Sequence, residues 1–190
     1  MNYVKKLNRN NFPFKMAIDL ASKYHAGQVD AGGRSYMYHL EEVSKSISRW
    51  YQSLCDKNII DPESEETKKL YQNAKTVAYL HDILEDTDCT TTVLHDEGFS
   101  EEIIDAVVAI TRRKDEQFYF DFIERVNKNP IAKIVKICDL ENNMDIRRLT
   151  KFGDYEMKRL KKYWYSWKFL KGEISATEAN NAIHPNRLRA

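Results

Sequence analysis

Glycine and proline are scarce in this chain, six and four in 190 residues, and alternating β-branched runs are few. That disfavours a fold of many strands and turns, and an all-α bundle of about seven to ten helices is expected. Charge of one sign is lacking as well: 30 Lys and Arg stand against 29 Asp and Glu, a formal net charge of +1. No broad field advertises a nucleic acid or membrane partner, so any anion site must be a local feature. No stretch approaches the roughly 20 consecutive apolar residues of a membrane span. The N-terminal MNYVKKLNRNNFPF is basic but has no apolar run behind it, so a soluble cytoplasmic protein is expected. Cys55, Cys89 and Cys138 lack CxxC spacing and leave one over after any single pairing, as reduced thiols do. The length suits one domain over residues 1–190, with a core at about 14–170 and an extension at each end.

Helical periodicity is plain along most of the chain. Phe14, Ala17, Ile18, Ala21 and His25 share a face, and the glycine-containing segment Ala26 to Arg34 then breaks the pattern. The next helix starts near Tyr38 and turns His39, Val43, Ile47 and Trp50 inward. After a polar connection, Asp56 to Glu66, the spacing of Leu70, Ala74, Val77, His81 and Leu84 predicts one helix running into HDILEDTD. A short helix from about Thr91 ends at Gly98, and Ser100 caps another whose buried stripe is Ile103, Ile104, Val107 and Val108. Two helices follow, Phe118 to Val126 and Ile131 to Leu140, with Pro130 where its missing N–H is harmless. In the last long helix, about Asp154 to Lys171, Met157, Leu160, Trp164 and Trp167 read as a core stripe, and the same aromatics are compatible with a homodimer. The tail after Ala176 is expected to begin as a short helix and fray.

Three strongly polar residues, His39, His81 and Asp139, fall on the apolar faces of separate helices, with Asp82 beside one of them. A buried carboxylate without a partner costs several kcal/mol, so such a convergence calls for a cation or a hydrogen-bond network. Two imidazoles and two carboxylates suit Mn²⁺, Fe²⁺ or Zn²⁺ better than Ca²⁺, which prefers oxygen throughout. An ion of this kind acidifies water and neutralises charge on a phosphoryl oxygen, so hydrolysis of a phosphate or pyrophosphate ester is the chemistry expected. Glu85 and Asp86 lie within a turn of Asp82, and like-charge repulsion should raise one of them into a proton acceptor.

The segments HAGQ (His25 to Gln28), YMYH (Tyr36 to His39), AYLHDILEDT (Ala78 to Thr87), AITRR (Ala109 to Arg113) and VKICDLENNMD (Val135 to Asp145) run in order along the chain. Together they resemble the HD hydrolase domain of the RelA/SpoT family and its small stand-alone alarmone-hydrolase relatives, over about residues 14–170. The resemblance implies one metal, usually Mn²⁺, held by His39, His81, Asp82 and Asp139, with Glu85 and Asp86 activating water. It also implies a contact from Asn143 to the substrate's sugar or phosphate, and on a continued helix Arg147 would lie one turn further on the same side. Two departures stand out. The family's Arg-Lys pair after HxGQ is replaced by Asp30 and Ala31, which predicts a weaker grip on a nucleotide as anionic as ppGpp, and the prolines that flank the YMYH element in the family are absent.

Arg34, Arg112, Arg113, Lys114, Arg147 and Arg148 are candidates for replacement phosphate contacts, although a run such as RRK is more often a solvated surface. Tyr119 suits either stacking on a base or packing among its phenylalanine neighbours. These 190 residues leave no room for the nucleotidyl-transfer domain that alarmone synthesis needs, so synthesis is not expected. The reading is a metal-dependent phosphohydrolase acting on a nucleotide or another phosphorylated small molecule. The alternative is a nucleotide-binding sensor that keeps the metal site without turnover.

Overall fold

The computed structural model describes residues 12–30 and 32–185. Over those residues the chain is all-α, as its composition implied. The elements are α1 Phe12–Tyr24, α2 Tyr36–Asp56, α3 Glu65–Leu80, the single turn α4 Ile83–Asp86, α5 Thr91–Asp96, α6 Glu101–Ile110, α7 Tyr119–Asn127, α8 Pro130–Asn143, a 3-10 turn Ile146–Arg148, α9 Asp154–Leu170 and α10 Ala176–Ile183. Among the described residues the only β-type contact is an isolated bridge between Val29 and Ser35, which closes the loop after α1. The expected fraying of the last residues, and the replacement at Ala31, lie outside the described residues.

Local chemistry sets the helix starts. Ser64, Thr90, Asn129 and Ser175 each accept a backbone N–H of the first turn with the side-chain oxygen, a bond worth about 1 kcal/mol per helix. Ser100 stands where a cap was expected, before α6, but makes no side-chain cap bond. There Glu101 and Glu102 offset the helix dipole instead.

Helix α3 sits at the centre, packed by α1, α2, α6 and α8, and one continuous apolar cluster runs from Ala17 to Ala179. Val77, Ala78 and Leu80 of α3 are fully buried, and α2 and α8 flank it with Leu40, Val43, Ile47, Val135 and Leu140. This three-helix contact decides where the polar residues of α2, α3 and α8 meet.

Two expectations need correction. Helix α3 does not run through His81 to Leu84. It stops at Leu80, His81 caps it, and Asp82 (φ −104°, ψ −2°) opens the separate turn α4, whose Glu85 and Asp86 N–H groups both return to the Asp82 carbonyl at 3.1 and 2.9 Å. The Thr87 hydroxyl ends that turn by donating to the Ile83 carbonyl at 2.5 Å. The expected α9 stripe is only partly core: Met157 and Trp164 are 54% and 47% exposed, Leu160 is half-buried, and Trp167 packs half-buried against the apolar cluster. Helix α9 leans on α7, α8 and α10 through the face carrying Tyr163, Ser166 and Leu170, which leaves Trp164 to stack on Trp167 at the surface, centroids 5.4 Å apart.

Candidate functional site

His39 enters from the first turn of α2, His81 and Asp82 from the break after α3, and Asp139 from the inner face of α8. His39, His81 and Asp139 are buried, and the Asp82 side chain is about one-fifth exposed. His39 Nε2 lies 3.7 Å from Asp82 Oδ2 and 3.3 Å from Asp139 Oδ1, and His81 Nε2 lies 2.9 and 3.6 Å from the same two oxygens. Donors held about 2.1 Å from a common ion are separated by roughly 3.0 Å at a right angle and roughly 3.4 Å at a tetrahedral one. His39, His81 and Asp82 offer ligand atoms close enough together to hold one ion, and Asp139 stands beside them, 3.3 and 3.6 Å from the two imidazoles.

The far sides of the imidazoles are held by the chain. His81 Nδ1 is 2.8 Å from the Ala78 carbonyl and His39 Nδ1 is 2.8 Å from Asn142 Oδ1. Each Nδ1 therefore carries the proton it donates, and each Nε2 is directed into the cluster as a ligand atom. Partners of this kind fix ring tautomer and orientation around metals. His81 Nε2 is fully buried and, despite its 2.9 Å approach to Asp82, finds no partner in hydrogen-bond geometry, an orphan that a cation would satisfy.

In the metal-free protein the cluster is a charged network. Burial opposes the imidazolium of His39, but Asp139 and Asp82 outweigh it and push it up to about 9. At His81 burial is again outweighed, by the Asp82 charge and the proximity of both carboxylates, and the value rises to about 10. Burial would raise Asp139, yet the Lys136 ammonium, 2.8 Å away, and the two imidazoles hold it well below the carboxylate range. Asp82 is depressed likewise, against burial, chiefly by His81. The stability that the imidazoles contribute is therefore complete below their ordinary value of 6.5 and is lost as pH rises through about 9 and 10; that of the carboxylates is present above 3.8 and is lost on acidification. Thermal melts of metal-free protein should show falling stability between about pH 7 and 10; stability that stays level over that range would contradict the network.

Glu85 and Asp86 are both raised. Like-charge repulsion was the expected cause, but burial is the larger one in each, with the Asp82 charge adding to it. Glu85 faces the cavity beside the cluster and accepts the Arg112 backbone N–H at 3.1 Å. Asp86 lies behind it, 3.1 Å from the Tyr36 hydroxyl, which also donates to Asp82 at 2.6 Å. The HAGQ segment supports this arrangement: the His25 ring stacks on Tyr36 at 4.8 Å, and Gln28 bonds both His25 Nδ1 and the Asp86 carbonyl.

The cavity, about 280 Å³, opens onto His39, Asp82, Asp139, Glu85 and Asn143. Asn143 donates to Asp139 Oδ1 at 2.5 Å, beside the cluster. Arg147 and Arg34 do not join them. Helix α8 ends at Asn143, so the continued helix expected to carry Arg147 is absent; Arg147 sits on the 3-10 turn, 86% exposed and paired with Asp145 at 2.7 Å. Arg34 lies over the Tyr38 ring outside the cavity. Arg148 takes the place foreseen for Arg147. Tyr36 and Lys136 were missed, although each stands three residues before a ligand on the same helix face, a signal the sequence carries.

Asp30, which replaces a cation of the resembled family, is almost wholly buried. Its Oδ1 accepts the N–H groups of Gly32 and Arg34, and its Oδ2 accepts from Arg148 at 2.9 Å. Arg148 in turn donates to the carbonyl and to Oδ1 of Asn142, the residue that holds His39. Asp30→Asn keeps the turn and removes the charge opposite Arg148. Removing one partner of so buried a pair should cost about 3 kcal/mol in urea unfolding, and the loosened Asn142 should weaken metal affinity by about tenfold. An unchanged unfolding midpoint would contradict the relay.

No family model and no curated protein matches this sequence. Among solved structures, one of a metazoan ortholog of SpoT that hydrolyzes ppGpp and plays a role in starvation responses superposes with a TM-score of 0.62 at 21% identity, covering 93% of this chain and 96% of that one. The two share a fold. At the level of fold, this likeness bears out the resemblance carried by the sequence motifs. Among the described residues no helix is long and apolar enough to cross a membrane.

Proposed function

We propose that this chain is a metal-dependent phosphohydrolase acting on a nucleotide or a related phosphate or pyrophosphate ester, with His39, His81, Asp82 and Asp139 holding one divalent ion. The observation that carries the reading is the group of two buried Nε2 atoms and the Asp82 carboxylate close enough to share one ion, with Asp139 beside both imidazoles and each imidazole anchored through Nδ1. The donor set suits Mn²⁺, Fe²⁺ or Zn²⁺, and the resemblance of the sequence motifs to the RelA/SpoT hydrolase domain favours Mn²⁺ among them. A bound ion of this type supplies charge neutralisation at a phosphoryl oxygen and acidifies water.

The remaining steps fall to the chain. Glu85, raised by burial and steered by the Arg112 N–H, takes the proton of the attacking water and returns one to the leaving oxygen, with Asp86 and Tyr36 sharing the proton network behind it. Asn143 and Lys136 orient the phosphoryl group beside Asp139. The ppGpp hydrolysis of the structural neighbour supports a 3′-pyrophosphate as one candidate substrate. We further read residues 1–190 as one domain working in the cytoplasm, with neither nucleic acid nor membrane as partner.

The test is a screen of Mn²⁺-loaded protein against ppGpp and a panel of nucleoside mono-, di- and triphosphates, following phosphate and pyrophosphate release together. Metal-dependent release from at least one substrate is expected. Tight binding with no product after prolonged incubation would replace the enzyme by a sensor.

A further inference from the structure

The cations around the cavity fall into two sets. Lys136 is paired with Asp139 and Arg148 with Asp30, at 2.8 and 2.9 Å. Arg112 and Lys162 also line the cavity, and among the described residues neither has a carboxylate partner. Both lie instead over the Tyr119 ring, Arg112 Cζ at 5.7 Å and Lys162 Nζ at 4.2 Å from its centroid. An aromatic face attracts such cations but leaves their charge uncompensated. Burial, joined by repulsion from Arg112, Lys136 and Arg159, lowers the Lys162 ammonium from its ordinary value.

A second, independent observation marks the same wall. The Tyr119 hydroxyl is buried and has no hydrogen-bond partner, although the residue lines the cavity and is only 8% exposed. A buried hydroxyl left without a partner is unfavourable, and packing alone does not explain it. Elsewhere in the lining, Asp30 neutralises Arg148 and offers an anion no purchase. Two converging cations and an idle donor are the chemistry of a phosphate clamp.

We propose that Arg112, Lys162 and the Tyr119 hydroxyl form a second anion subsite, which takes a phosphoryl group of the substrate other than the one under attack. Resting on the phosphohydrolase reading above, this narrows the substrate class to compounds with at least two phosphoryl groups and points the second one toward α9, away from the Asp30 loop.

Inorganic pyrophosphate and orthophosphate serve as probes, titrated calorimetrically into the full chain with and without Mn²⁺. Pyrophosphate should bind at least about tenfold more tightly than orthophosphate, since charge-assisted contacts contribute about 1.5–3 kcal/mol each. Lys162→Gln and Arg112→Gln should each remove most of that preference, Tyr119→Phe part of it, and Lys162→Arg should retain it. Lys161→Gln, which deletes the same charge at an exposed neighbouring position, should leave it intact. Equal affinity for the two anions, or a preference that survives both Gln variants, would overturn the subsite. If Mn²⁺ fails to bind but the Lys162-dependent preference remains, the subsite stands and the hydrolase reading falls. If metal-dependent turnover is found while the Gln variants are silent, the reverse holds.

Discussion

His81→Ala is expected to abolish metal retention and turnover together. The side chain is fully buried, its Nε2 points at both carboxylates, and its Nδ1 is held by the Ala78 carbonyl, so neither water nor a neighbour replaces it. Loss of a residue that merely supports a ligand costs about 10–100-fold in affinity or activity, and loss of a ligand should exceed that. Asp82→Asn should behave alike, because the neutral amide lacks the charge that holds both the imidazolium and a cation. Glu85→Gln separates the two roles: metal content should persist while turnover falls by about 10²–10⁴-fold, the usual contribution of a positioned proton acceptor. Metal analysis and rate measurement on the same preparations check both, and full activity in His81→Ala would remove the metal centre from the account.

The largest loss of stability is expected from Arg125→Ala. This guanidinium donates to the carbonyls of Val108, Ala109 and Thr111, at the end of α6, and to the Glu116 carboxylate at 2.8 and 3.1 Å. Both side chains are largely buried. Removal strands three carbonyls and an anion, and a broken buried pair costs about 3–5 kcal/mol. For a chain of this size that corresponds to a fall of about 6–20 °C in Tm. The same residue shapes the turn that delivers the Arg112 N–H to Glu85, so activity should decline even below the melting transition. A Tm within a few degrees of the wild type would show that the turn holds without it.

Much of this architecture was legible in the sequence because its signals are local. Helical spacing and the scarcity of glycine and proline pointed to the all-α bundle, and Pro130 stands in the first turn of α8 as expected. His39, His81 and Asp139 were singled out as polar residues on apolar faces, with Asp82 beside one of them, and the packing of α2, α3 and α8 brings them together. What escaped depends on tertiary geometry. The break at His81 and Asp82 is invisible to periodicity because Leu84 continues the pattern that α3 abandons. Trp164 carries the right spacing for a core, but which face of α9 turns inward is decided by α7 and α8. Asp30 reads as a lost cation until Arg148, far along the chain, is found against it. Arg112, Tyr119 and Lys162 come from three separate elements, and nothing in their spacing announces that they share a wall.

A calorimetric titration of Mn²⁺ into metal-free protein, run near pH 8 in two buffers of different ionisation enthalpy, addresses the centre of the account directly. One ion per chain should bind with release of protons, because His39 and His81 are held protonated up to about 9 and 10 and must give up Nε2 protons to become ligands. The signal should vanish in His81→Ala. Absence of binding, or binding that neither releases protons nor needs His81, would contradict a metal held between these helices.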